Sequence, residues 1–173
     1  MKEVLFDIEA TGLLRKGSRI HCLVLRDAVA NSTHVFDHKP ERAVVQGVKK
    51  LEQAELLIGH NVLGYDCPLL LEQFPDFNPK GQVMDTLVLS RLFYPHIAEK
   101  DHERRPIGMP QRCYGRHSLE AWGYRLKCFK GDFGHHEGSW DVYTPEMLDY
   151  CIQDTEVTLK LWQLMQRRIK EYQ

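Results

Sequence analysis

The sequence predicts an α/β fold, one mixed sheet covered by helices, on three observations. Strand-length apolar runs come first, helical periodicity follows with one more apolar strand between, and a long helix closes the chain. The chain has 173 residues, 43% of them hydrophobic and 27% charged. That is the length of about one domain, able to hide roughly 70% of its extended surface. Residues 1–173 are therefore read as a single domain, without repeats or low-complexity tracts.

Residues 3–9 alternate as a strand, with Val4, Phe6 and Ile8 on one face and Leu5, Asp7 and Glu9 on the other. Residues 20–26 and 33–37 are two further strands. Pro40 stands at a first-turn position, ahead of a surface helix spaced on Ala43, Val44, Val48 and Leu51. Residues 55–59 make a short apolar strand, and the segment around Tyr65–Phe74 is a helix after a turn. Asp85 can cap a helix carrying Leu87, Leu89, Leu92 and Phe93. Between 94 and 116, Pro95, Pro106, Pro110 and several glycines interrupt every pattern, which predicts a long irregular connection. Ser118 starts a short helix, and residues 131–139 form a second loop rich in Gly and His. Thr144, Pro145 and Glu146 combine a hydroxyl cap, a first-turn proline and an early acid, so they open a helix that runs to near the carboxy terminus.

Composition narrows the function classes. With 23 Lys+Arg against 24 Asp+Glu the formal net charge is −1, which excludes a histone-like binder that relies on a large positive excess. The five cysteines are scattered, with no C-x-x-C pair, so neither a disulfide framework nor a zinc knuckle is expected. His135 and His136 lack H-E-x-x-H spacing, and Cys113 with His117 has no second pair. Acids within the first apolar run argue against a signal peptide, and no run approaches the ~20 apolar residues of a membrane span. A soluble cytoplasmic protein with no membrane partner is expected.

Three acidic features carry chemistry. Asp7 and Glu9 project from one face of a strand, either as a solvated strand end or as a pair compensated by a cation. At ~4 Å and an effective dielectric near 20, two such charges repel by roughly 4 kcal/mol. In GHNVLGYD (59–66), turn residues follow an apolar strand and Asp66 stands where a helix begins, as a cap or as something more. Tyr150 and Asp154 lie four apart on the last helix, hence on one face, at the border of its apolar stripe. Four carboxylates and a phenol are hard oxygen donors of the kind Mg²⁺ and Mn²⁺ prefer.

This set resembles the DEDD superfamily of 3′→5′ exonucleases in its tyrosine branch: Asp149 occupies the position where the histidine branch carries its base, and Tyr150 has the tyrosine-branch spacing. DIEA, HNVLGYDCP, MDTLVLSRL, GRHSLEAWGYRLK and LDYCIQD resemble, in order, successive blocks of the proofreading domain of family A DNA polymerases from T-odd bacteriophages. The likeness covers nearly the whole chain and stops where a polymerase domain begins, so thumb, palm and fingers are not expected. It implies a ribonuclease H-like five-stranded mixed sheet flanked by helices. It further implies a metal-dependent 3′→5′ exodeoxyribonuclease that releases nucleoside 5′-monophosphates.

By that resemblance Asp7, Glu9, Asp66 and Asp154 hold two divalent cations, Mg²⁺ or Mn²⁺, about 3.5–4 Å apart, with Asp7 bridging. A free phenol has a pKa near 10, so Tyr150 is assigned to orienting the attacking water. Thr11 and Leu13 match positions that hold the terminal nucleotide, and Asn61 and Tyr65 touch phosphate or support Asp66. The family's usual threonine after the glutamate is Ala10 here, which removes a hydroxyl from that contact. Two Mg²⁺ ions would carry the formal charge from −1 to +3. Between Arg104 and Lys130 seven cations face only Glu120, interleaved with Tyr114, Trp122, Tyr124 and Phe129, a mixture suited to single strands. Within it Arg112 and Arg116 are assigned to DNA phosphates and Trp122 to the core. The expected partner is the 3′ end of DNA, single-stranded or duplex, with a replicative polymerase as a second partner and the monomer as the default state. Two other readings share these features: an RNA-trimming nuclease with the same site, and a catalytically silent nucleic-acid-binding or polymerase-associated subunit.

Overall fold

A computed structural model describes residues 1–12, 17–128, 138 and 140–172. Five strands form one mixed sheet in the order β3-β2-β1-β4-β5: β1 (Glu3–Ala10), β2 (Ile20–Asp27), β3 (Thr33–Phe36), β4 (Leu56–Gly59) and β5 (Gln82–Asp85). β1 is central, antiparallel to β2 and parallel to β4. The expected three-strand opening is present, and β5, an edge strand with no apolar alternation of its own, completes the five implied by the resemblance.

The alternation in β1 sorts its side chains as expected. Val4, Phe6 and Ile8 enter a core with Leu23, Leu25, Leu51, Leu57, Leu69 and Leu70, beneath helices α1 (Val44–Glu52) and α2 (Asp66–Gln73). Leu5 enters the opposite core with Ile58, Trp122, Val157, Leu161 and Trp162. That face is covered by α3 (Thr86–Phe93), α5 (Leu119–Arg125) and the 27-residue α6 (Pro145–Glu171). Burying each such Leu or Ile contributes about 1.5–3 kcal/mol, and together they fix which way Asp7 and Glu9 point: toward α6.

Two elements differ from expectation. Pro40 does not open the helix; residues Pro40–Arg42 make a separate 3-10 turn, Ala43 is extended, and α1 begins at Val44. The Asp37 carboxylate causes the break by binding Lys39 N and the Arg42 guanidinium (3.1 and 2.6 Å), while Asp37 and Ala43 form a β-bridge. Within 94–116, read as irregular, lies α4 (Ile97–Arg104) followed by a 3-10 turn at Gln111–Cys113. Pro95 and Pro106 bracket α4 rather than interrupt it. The terminal helix and its Thr144 cap stand as expected, with Thr144 Oγ1 accepting from Met147 N at 3.2 Å. The 131–139 loop reading lies outside the described residues except at Gly138. No helix among the described residues is long and apolar enough to cross a membrane.

Candidate active site

The ends of parallel strands β1 and β4 open on one side of the sheet, and there the predicted acids meet. Asp7, Glu9, Asp66, Asp154 and Tyr150 all line one cavity of about 760 Å³, with Asn61, Tyr65 and Arg116 also in its wall. The β1–β2 register shifts between Glu9 and Ala10, an irregularity of the sort that re-aims a side chain near a site. Glu9, Asp66 and Asp154 are buried, at 8%, 3% and 4% exposure.

The turn that delivers Asp66 explains the GHNVLGYD sequence. A side chain at Gly59 would collide with Val62, and one at Gly64 would sit 2.7 Å from Asn61 Oδ1. Asn61 itself is left-handed, φ 64°, a conformation Asn tolerates better than most residues. Asp85 fastens this turn. Its carboxylate caps α3 through Leu87 N (2.8 Å) and also accepts Asn61 N (2.9 Å) and Leu63 N (3.1 Å). Thr86 adds a hydroxyl bond to the Gly59 carbonyl at 3.0 Å. The sequence marks Asp85 as a cap; its hold on a turn 24 residues away has no local signal.

The electrostatics are those of a site built for cations. Burial, and after it the charge of Asp7, push the Asp66 carboxyl well above the ordinary carboxylate value, although the backbone N–H groups of Asp66 and Ile8 act the other way. Its buried Oδ1 has no hydrogen-bond partner among the described residues. Donor atoms of Asp7, Glu9 and Cys151 lie within 4.8 Å of one another. Cys151 is not a ligand of a hard cation: burial raises its pKa and the thiol donates to the Asp7 carbonyl at 3.4 Å. The carboxylate oxygens suit Mg²⁺ or Mn²⁺; Asp7 and Glu9 stand within metal reach of one another, while Asp66 and Asp154 join them through the shared cavity wall.

The other assigned residues divide. Tyr65 donates its hydroxyl to the Gly12 carbonyl (2.6 Å), and burial followed by the charges of Asp66, Glu9 and Asp7 raises its pKa to about 12. Thr11 lies outside the cavity wall, its Oγ1 taken by Arg19 N at 2.8 Å. Arg112 is also outside, in an ion pair with Glu120, while Arg116 is exposed on the rim. Leu13 is outside the described residues. Trp122 is core, as expected. Sequence reasoning did not single out His60, Arg91 or Trp140, which also line the cavity. Trp140 meets Tyr150 edge-on, ring centroids 5.9 Å apart. His60 and Arg91 lie within blocks already noted, HNVLGYD and MDTLVLSRL, but only the fold brings them to the cavity wall. His117 accepts or donates at Ser90 Oγ (3.0 Å), and burial, then Arg125 and Arg91, lower its pKa.

No family model matches the chain. The DNA-directed DNA polymerase of Enterobacteria phage T3 is 32% identical over 177 residues, covering 90% of this chain and 25% of that protein. The DNA-directed DNA polymerase of Escherichia phage T7 is 31% identical over 182 residues, covering 91% and 26%. The chain thus spans about a quarter of the length of these relatives. Among solved structures, Brucella melitensis NrnC has a TM-score of 0.66 at 16% identity, covering 98% of this chain and 74% of that one; it is also known bound to pGG and with bound Mg²⁺. The Aedes aegypti Nibbler EXO domain has a TM-score of 0.64 at 13% identity, covering 99% and 81%. The structural likeness establishes the fold expected from the motifs, the ribonuclease H-like sheet of these nucleases.

Proposed function

We propose, on the premise that this chain is a relative of the T-odd phage DNA polymerases built on the fold of the DEDD exonucleases, that it is a metal-dependent 3′→5′ exodeoxyribonuclease. The observation that carries the reading is the convergence of Asp7, Glu9, Asp66, Asp154 and Tyr150, from three separate elements, on one cavity. A binding module gains nothing from buried carboxylates facing phosphate. The Mg²⁺ bound by NrnC supports the same choice of ion here.

Asp7, Glu9, Asp66 and Asp154 would hold the cations. Two divalent ions in such a site supply a water of lowered pKa and neutralise charge on the phosphoryl group and the leaving 3′-oxygen. Tyr150 orients that water through its hydroxyl, its ring set by Trp140. Arg116, at the rim, takes backbone phosphate, and Asn61 presents its amide from the exposed turn. Tyr65 acts through the Gly12 carbonyl, as a positioning residue. We place Thr11 and Leu13 beside the terminal nucleotide and Arg112 on more distant phosphate. The chain acts as one domain and as a monomer in the cytoplasm, the host cell's if a phage encodes it, with a replicative polymerase as partner.

Timed digestion of 3′- and 5′-labelled oligonucleotides with Mg²⁺, Mn²⁺ or neither is the test. Stepwise shortening from the 3′ end, only with metal and lost in Asp7→Ala, is expected. Cleavage that survives EDTA or Asp7→Ala removes the assignment. Matched DNA and RNA oligomers decide the sugar, with DNA expected to be cut faster.

A further inference from the structure

A second cavity, of about 550 Å³, lies at the other end of α5 from the acids. Its wall is predominantly basic. Lys100, Arg104, Arg105 and Lys127 line it, and none of the four is paired with a carboxylate among the described residues. Asp101, its acid, is consumed by Arg125, at 2.9 and 2.7 Å. The carboxyl ends of α4 and α5, at about half a charge each, offset a quarter of the four free charges.

Two of these cations stand where the backbone argues against them. Arg105 (φ 44°) and Lys127 (φ 53°) are left-handed, each just past a helix, a position where glycine is the cheaper residue. The other described non-glycine residues with positive φ are both asparagine. Aromatic and apolar surface completes the cavity: half-buried Tyr124, and Ile107, which is 81% exposed. Two shielded donors in the wall, Arg125 Nη1 and Trp122 Nε1, have no acceptor among the described residues.

We infer that this cavity binds a nucleotide unit, its phosphates on Arg105, Lys127 and their neighbours and its base against Tyr124 and Ile107. Clustered guanidinium and ammonium groups beside an aromatic face are the recognition chemistry of nucleotide strands. An acidic peptide would need the charges but not the ring. The two cavities share the segment 115–127: Gly115–Leu119 line the acidic one, and Trp122 with Tyr124–Lys127 the basic one. Helix α5, at 1.5 Å per residue, separates them by about 10 Å, or some three stacked nucleotides. The unit is therefore part of a strand whose 3′ end lies among the acids; this last step rests on the exonuclease reading, while the cavity's ligand does not.

Fluorescence anisotropy in EDTA tests the site without any cleavage, so a protein that never hydrolysed DNA would still answer. Probes are a labelled 12-mer single strand and free 5′-mononucleotide, each over a salt series. The double variant Arg105→Gly with Lys127→Gly suits the left-handed backbone and folds. It is expected to bind the 12-mer about tenfold more weakly, with a salt slope smaller by about 1.4, two single-strand phosphates' worth. Tyr124→Leu weakens binding with the slope unchanged. Loss of mononucleotide binding in the double variant, with the 12-mer unaffected, supports the site with a free nucleotide as its ligand and overturns its placement on the strand. Unchanged binding of both probes overturns the inference, as does equal competition by polyglutamate of matched charge.

Discussion

The Tyr65 hydroxyl donates to the Gly12 carbonyl oxygen at 2.6 Å, and this one bond ties the residue before Asp66 to the chain just beyond Glu9. The two acids come from different elements, so their spacing depends on such ties. Because burial and three carboxylates hold the phenol's pKa at about 12, the proton stays in place across the working range. Tyr65→Phe removes about 1 kcal/mol of stability and is expected to lower kcat several-fold with KM little changed. A rise in KM alone would place the hydroxyl on substrate instead. Oligonucleotide kinetics with a thermal melt separates the two.

Asp66 is costly to the empty protein and needed by the loaded one. Its carboxyl is disfavoured by burial and by Asp7, so Asp66→Asn relieves the repulsion. In EDTA the variant is expected to melt about 3 °C higher, near 1 kcal/mol for a chain of this size. With saturating Mg²⁺ the wild type gains about 2.7 kcal/mol at a hundred times Kd, the variant clearly less, and hydrolysis falls about a thousandfold. Calorimetry with and without metal measures this. A variant that melts lower than wild type in EDTA would mean that the acids are not in conflict.

Asp85 acts at a distance from the chemistry. Asp85→Ala removes a helix cap and both turn bonds to Asn61 and Leu63, a loss of about 2–3 kcal/mol. The freed turn lets Asp66 drift, so the Mg²⁺ concentration for half-maximal rate is expected to rise about tenfold. Asp85→Asn, which keeps one acceptor, recovers part of it. A melting loss with an unshifted Mg²⁺ midpoint would confine Asp85 to capping α3.

What the sequence reveals here follows the range of the interactions. The period-2 alternation of β1 is local, so the shared face of Asp7 and Glu9 can be read directly, and so can the cap-proline-acid start of α6. Helix α4 cannot, because only Ile97 and Asp101 of its eight residues are buried. Asp101 reads as a solvated acid until Arg125, 24 positions on, is seen beside it. Thr11 shows the same limit: nothing local in the sequence signals that its hydroxyl oxygen accepts from Arg19 N across the β1–β2 turn. The convergence of Asp66 on β1 is a tertiary fact, legible only because its block resembles a known one.

The Asp101–Arg125 pair gives the fold a defined acid sensitivity. Both side chains are buried, at 3% and 9% exposure. Burial alone would raise the Asp101 pKa, but Arg125 and the Gly115 N–H hold it below the ordinary value. A carboxyl depressed in the folded state stabilises fully above its unfolded pKa, near 4, and the contribution is lost as pH falls through the folded value. At pH 7, Asp101→Asn leaves the Arg125 charge buried without its partner and costs about 3 kcal/mol, or about 8 °C. Because Asp101 of the wild type protonates below pH 4, the difference between wild type and variant is expected to narrow there and to be constant from pH 6 to 8. Melts of both proteins from pH 2.5 to 8 check this, and a gap that is the same at every pH would show that Asp101 holds α4 to α5 by shape and neutral hydrogen bonds rather than by charge.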